Sequence, residues 1–149
     1  MRLPSPSIQE TNVRGVRLFE MPCSVDPNRG RLTVAEVPHG LPFSPQRCFL
    51  IFGVPTGQTR GQHAHRTCSQ FLLCTHGECR LLVDDGTQQA EFHLDRPTLG
   101  VLVPPLIWST LRLHSADSVL LVLASVPYEE EDYIHDYADF LTLVQLPTP

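Results

Sequence analysis

The chain has 149 residues, 42% of them apolar, with eleven basic and sixteen acidic side chains and a formal net charge of −5. That length suits one domain around a single core, and the acidic balance argues against a nucleic-acid-binding protein. Every basic residue is arginine, which excludes a Schiff-base lysine, a lysine general base and a P-loop.

Read along the chain, residues 1–12 are polar and proline-bearing and are expected to be a loose N-terminus, followed by one domain over 13–149. A first strand is predicted over Arg14–Met21. Asp26-Pro-Asn-Arg-Gly30 reads as a turn and Arg31–Val37 as a strand. Gln46–Phe52 is a continuous apolar run, which predicts a strand buried on both faces. Gln70–Cys74 continues the sheet. Cys79–Val83 and Ala90–Leu94 flank Asp85-Gly86, a hairpin signal in which both turn positions take positive φ. Gly100–Val103, Ser109–His114 and Ser118–Ser125 complete the set, the last apolar throughout and therefore central. After Pro127 the period changes. Ile134, Tyr137, Leu141 and Val144 recur at helical spacing, and Glu129–Asp132 load an expected first turn where the helix dipole favours anions. Many short strands punctuated by Gly and Pro, then one short C-terminal helix, indicate an all-β sandwich or barrel.

Five cysteines (Cys23, Cys48, Cys68, Cys74 and Cys79) form no CxxC pair. An odd count without a signal-peptide-like start fits a reducing cytoplasm and argues against a structural zinc site. No apolar stretch has the length to span a membrane.

The chemistry concentrates in Gly57-Gln-Thr-Arg-Gly-Gln-His63-Ala-His65. A strand has a side-chain period of two, so His63 and His65 point the same way. Two imidazoles aimed into one cavity can hold a metal ion or move protons near neutral pH. Gln70 follows on the next strand, where it can fix a histidine tautomer. Arg60, just before the pair, suits bidentate capture of a diphosphate. Arg29 has two readings, a ligand contact or a solvated turn charge. Trp108 likewise suits stacking on a base or sugar face, or the core. Tyr128, Tyr133 and Tyr137 read as packing for the helix. His39, His76, His93 and His135 read as surface or turn residues.

Gly57, His63, His65 and Gly77 match the first motif of the cupin barrels, with Gln70 where that family has glutamate. Gly100-Val-Leu-Val-Pro-Pro-Leu-Ile-Trp108 resembles the second motif without its metal-binding histidine. The chain thus resembles a cupin that lacks two of four metal ligands, with His114 a remaining source of a third nitrogen. Further motifs occur in order: Arg29-Gly-Arg-Leu-Thr-Val-Ala-Glu36, Pro42-Phe-Ser44, Arg60-Gly-Gln-His-Ala-His65, Asp84-Asp-Gly86, Pro104-Pro-Leu-Ile-Trp108, Val122-Leu-Ala-Ser125 and Asp132-Tyr-Ile-His-Asp-Tyr137. Together they resemble the nucleotide-sugar 3,4-ketoisomerases.

The resemblance implies a cupin jelly-roll barrel that uses no metal and no cofactor. It implies a homodimer exchanging N-terminal strands, and a dTDP-linked 4-oxo-6-deoxyhexose as substrate. Its product would be a 3-oxo-6-deoxyhexose nucleotide for surface polysaccharides or glycosylated metabolites. On that reading His63 is the base and His65 a donor or orienter, the division between them open. Arg60, Arg29, Gln70, Trp108 and Ser109 are the substrate-binding candidates. The chain departs from the family at Phe49-Leu50, where tyrosine is common, at Ser109, where His or Arg is usual, and at His135, where Arg is usual. Two other readings are a metal-dependent cupin oxygenase and a nucleotide-sugar-binding cupin without turnover. A 3,5-epimerase fits the Arg-Gly-x-His-Ala-His pattern less well.

Overall fold

The alternation of apolar and polar residues folds into two antiparallel sheets wrapped around one core, as the computed structural model, describing residues 2–113 and 115–146, shows. The larger sheet has the order β1 (Ser7–Glu10), β2 (Arg17–Glu20), β10 (Leu99–Val103), β7 (Gln70–His76), β12 (Val119–Ala124) and β5 (Arg47–Phe52). The second sheet runs β13 (Tyr133–Ile134), β6 (Thr59–His65), β11 (Trp108–Leu113), β8 (Cys79–Asp84) and β9 (Gln89–Leu94). A separate ribbon pairs β3 (Cys23–Asp26) with β4 (Gly30–Thr33), and the helix α1 covers Tyr137–Gln145. Strand neighbours far apart in sequence, such as β2 beside β10 and β5 beside β12, give the all-β sheets that the pattern implied and the jelly roll that the resemblance implied. The core between the sheets is built from inward residues of both, among them Val16, Leu72, Leu81, Val83, Val101, Leu113 and Val122.

Several local features tighten this frame. Gly100 lies under the Phe71 ring, and a Cβ there would come within 2.2 Å of Phe71 Cζ. Phe71 in turn meets Phe19 edge-on at 5.2 Å, a favoured aromatic geometry. The β8–β9 connection spans four residues, Asp85–Gln88. Of the two expected positive-φ positions only Gly86 has one (φ 92°), because Asp85 instead uses its carboxylate to accept from the amides of Thr87 (2.8 Å) and Gln88 (2.7 Å).

The structure differs from the expectations elsewhere too, and the strand expected over Arg31–Val37 ends at Thr33. Within the N-terminal stretch expected to be loose, Ser7–Glu10 pair with β2 through their backbone while all four residues stay exposed. The predicted strand at Arg14–Met21 begins later, because Gly15 turns the chain at φ 72°. The β5 strand is a sheet edge with one face outward: Cys48, Leu50 and Phe52 are exposed, Phe52 by 67%. Its apolar run therefore does not mean burial on both faces within this chain. Finally, Glu129–Asp132 do not open the helix. Glu130–Asp132 form a 3-10 turn and Ile134 belongs to β13. The helix starts at Tyr137 under an Asp136 cap, whose side chain accepts from the Asp139 amide at 2.9 Å. His114 lies outside the described residues.

Candidate active site

The site is positioned by an irregularity in β6. Ser109 pairs with His63 but Thr110 pairs with Gly61, so Gln62 is an extra residue and the strand bulges. Gly61 (φ 84°) and Gln62 (φ 56°) both occupy the left-handed region. A Cβ on Gly61 would approach the Ser109 carbonyl to 3.0 Å, so glycine is required by close approach as well as by φ. Beyond the bulge His63 and His65 share one face, their ring centroids 4.9 Å apart and nearly perpendicular.

His63 opens on a cavity of about 170 Å³ between the two sheets. Arg60, His63, Gln70, Ser109 and Tyr133 supply its polar lining; Phe49, Ile51, Leu72, Leu111 and Val122 supply the apolar part. Of the sequence candidates, the structure thus gathers His63, Arg60, Gln70 and Ser109 around one space, with His65 adjoining. It does not bring Trp108 or Arg29 there. Trp108 packs beneath α1, 5.2 Å from the Tyr137 ring and 5.7 Å from Phe140, in the satellite core that includes Ile134. Arg29 sits on the turn of the β3–β4 ribbon, its amide bonded to Asp26.

Three residues the sequence reading placed elsewhere complete the site. Tyr133 pairs with His65 across β13 and β6, and its ring lies 4.5 Å from His65 and 5.1 Å from His63. His135 stacks on Tyr133 at 5.5 Å and stands 6.2 Å from His63. Asp132, the last residue of the 3-10 turn just before that strand, is only 7% exposed. Its Oδ2 lies 2.7 Å from His65 Nδ1, and its Oδ1 accepts from the Thr67 amide (2.6 Å) and hydroxyl (2.8 Å). The only sequence signal for these residues was the motif Asp132–Tyr137, which the helical spacing masked.

The electrostatics follow from burial. Desolvation pushes both imidazoles below the ordinary value of 6.5. For His63 the Gly61 carbonyl opposes that shift, while the neighbouring imidazoles of His65 and His135 reinforce it. For His65 the Asp132 carboxylate opposes it, and Arg47 and His135 reinforce it. Burial works to raise Asp132, but the Thr67 amide, His65 and the Thr67 hydroxyl outweigh it and hold the carboxyl below its usual range. At neutral pH the pair is therefore a neutral imidazole beside a carboxylate. An ionised carboxylate only accepts, so His65 Nδ1 carries the hydrogen and Nε2 the lone pair. That Nε2 is buried and has no hydrogen-bond partner among the described residues.

His65, Cys68 and Asp132 also place one ligand atom each within 4.8 Å of one another. Both Asp132 oxygens are already engaged, and the Cys68 thiol donates to the Ser69 carbonyl at 3.3 Å. A cation there would have to break this network.

Comparison with known proteins agrees in family. Residues 14–145 match the family model described as FdtA: WxcM-like, C-terminal. A curated protein of Aneurinibacillus thermoaerophilus, TDP-4-oxo-6-deoxy-alpha-D-glucose-3,4-oxoisomerase, is 41% identical over 113 residues, covering 76% of this chain and 81% of that one. A 3,4-ketoisomerase structure from Helicobacter canadensis superposes with a TM-score of 0.82 at 32% identity, over 87% of this chain and 97% of the other. A histidine-to-asparagine mutant of the 3,4-ketoisomerase QdtA from Thermoanaerobacterium thermosaccharolyticum, solved with TDP-4-keto-6-deoxyglucose, gives 0.84 at 28% identity, over 89% and 96%. Among the described residues no helix is long and apolar enough to cross a membrane.

Proposed function

The chain belongs to this FdtA (WxcM-like, C-terminal) family, and we propose that it is a sugar 3,4-ketoisomerase acting on dTDP-4-oxo-6-deoxyglucose. The observation that carries the mechanism is the His65–Asp132 contact beside His63, at the edge of a half-apolar cavity. Moving a ketone from C4 to C3 requires a proton to leave C3 and another to reach C4, through an enediol. A hydrogen next to a carbonyl is weakly acidic, so the base must be neutral, oriented and close. His65 meets the first two conditions, since Asp132 fixes its tautomer and leaves the Nε2 lone pair free. This favours His65 over His63 as the carbon base. His63 then carries the hydroxyl proton between the two sugar oxygens. The imidazolium of His65 returns a proton to C4, and no atom is gained or lost.

The cavity is smaller than the several hundred Å³ typical of sites for larger ligands. It takes the sugar ring, and the nucleoside diphosphate lies along the rim, where Arg60 is the exposed cation. Gln70 and Ser109 bond sugar hydroxyls. Arg29 cannot reach this cavity from its own ribbon, so its contact with ligand requires a second copy of the chain. A homodimer with exchanged N-terminal strands meets that requirement. Supporting it are apolar side chains left exposed at both edges of the larger sheet, Ile8 on β1 and Leu50 and Phe52 on β5, and on the two faces of the ribbon, Val25 and Leu32. Five unbridged cysteines suit a reducing cytoplasm.

The test is turnover. Purified protein converts dTDP-4-oxo-6-deoxyglucose into a product whose ketone NMR signature has moved to C3. His63→Ala and His65→Ala each abolish conversion while TDP affinity stays within about threefold, the loss of positioned acid–base catalysis being worth ~10²–10⁴ in rate. Undiminished turnover in either variant removes that histidine from the mechanism.

A further inference from the structure

The neutral His65 imidazole spends its one N–H on Asp132. Toward the substrate it therefore presents a lone pair and no donor. A base that removes the C3 proton leaves negative charge on the C4 oxygen, and that charge needs a donor already in place.

Arg47 is a cation on the strand that lines the cavity, next in the inward series to Phe49 and Ile51. Along β5 the residues Arg47, Phe49 and Ile51 alternate inward, and Phe49 and Ile51 line the cavity. Arg47 pairs with Ala124, and Ala124 pairs with the cavity residue Gln70. Arg47 and Gln70 thus flank a buried alanine at one level of the sheet, where the short side chain between them leaves room. The Arg47 guanidinium lies 5.2 Å over the Phe49 ring and 5.6 Å over Tyr128. Its Nε is buried without a partner, and among the described residues no carboxylate pairs with it. Cation–π contact on two aromatic rings holds such a group but does not neutralise it, and an unpaired, partly desolvated cation is costly. The cost is offset when an anion arrives during the reaction.

Resting on the ketoisomerase reading above, we propose that Arg47 is a catalytic residue that donates to the oxyanion of the enediolate. When the C3–H bond breaks, its proton goes to imidazole. The electron pair forms the C3–C4 double bond, and the C4 carbonyl pair moves onto oxygen, where the guanidinium receives it. The oxygen is then protonated, the C3 hydroxyl gives up its proton and C4 is reprotonated, so the charge on Arg47's partner is transient. Phe49 supports this role as a flat surface that keeps the guanidinium in plane.

Arg47→Lys and Arg47→Met are to be compared with wild type for kcat by product NMR and for TDP affinity by calorimetry. Losing one oxyanion donor costs ~10²–10³ in rate, so Arg47→Met is expected to lose that much kcat with TDP affinity within about twofold. Arg47→Lys, which keeps the charge, is expected to recover at least roughly tenfold of it. A merely structural arginine would leave Lys no better than Met. The proposal is overturned by that result, by a kcat within about threefold of wild type in Arg47→Met, or by TDP affinity falling as far as the rate, which would place Arg47 on the diphosphate. If Arg47→Met does not fold, Arg47→Lys decides against wild type: a rate loss with intact TDP binding supports the proposal, and an unchanged rate rejects it. An inert wild type that still binds TDP rejects the ketoisomerase reading itself and this inference with it.

Discussion

Replacing Asp132 by asparagine probes the mechanism with little change in shape. The carboxylate and the His65 ring are each about 6% exposed and meet at 2.7 Å. The side-chain carbonyl of the introduced asparagine can still accept from the Thr67 amide and hydroxyl, so the loop stays anchored. Its amide nitrogen then faces His65 Nδ1 as a donor. The imidazole must answer with its lone pair on Nδ1, which moves the hydrogen to Nε2 and removes the free base. A wrong tautomer has cost about 10⁴ in kcat in the serine-protease triad, and positioned proton transfer is worth ~10²–10⁴ more generally. We expect Asp132→Asn to lose between about 10² and 10⁴ in kcat, with TDP affinity unchanged and a cooperative thermal transition within a few degrees of wild type. The assay is product formation by NMR at saturating substrate, with TDP titration alongside. A rate within about threefold of wild type would refute the assignment of His65 as carbon base.

Burial lowers His63 and His65, so the acidic limb of kcat/KM should fall below pH 6.5; a limb above it would contradict the neutral-imidazole site. The same shifts make the unfolded chain bind protons more readily than the folded one, so stability declines as pH falls from 6.5 toward the folded values, which denaturant titration at several pH values would show. Gly100→Ala forces a methyl into the Phe71 ring and should cost ~1–3 kcal/mol, seen as a lower Tm. Trp108→Ala empties the packing beneath α1 and should cost about 3 kcal/mol while leaving TDP affinity intact, because Trp108 lies outside the cavity.

The barrel was legible because its signals are local. Alternation, the Asp85-Gly86 turn and the apolar run of β12 each declare themselves within a few residues. The two histidines declared themselves the same way, through a period of two that survives the bulge at Gln62 because the bulge precedes them. Asp132 and Tyr133 were not legible. Four consecutive acidic residues before an apolar period resemble a helix start, and nothing within that window reveals that Tyr133 pairs with His65 from 68 residues earlier. Trp108 has two readings in sequence, and only the position of α1 decides between them. Leu50 and Phe52 show the converse: their apolarity predicts burial, and the structure leaves both exposed on an edge strand.

The most direct test of proton transfer by the paired imidazoles is incubation with dTDP-4-oxo-6-deoxyglucose in D₂O, followed by NMR of the sugar ring. The account predicts a C3 ketone accompanied by solvent deuterium on C4. Binding of the nucleotide sugar with neither change would contradict it.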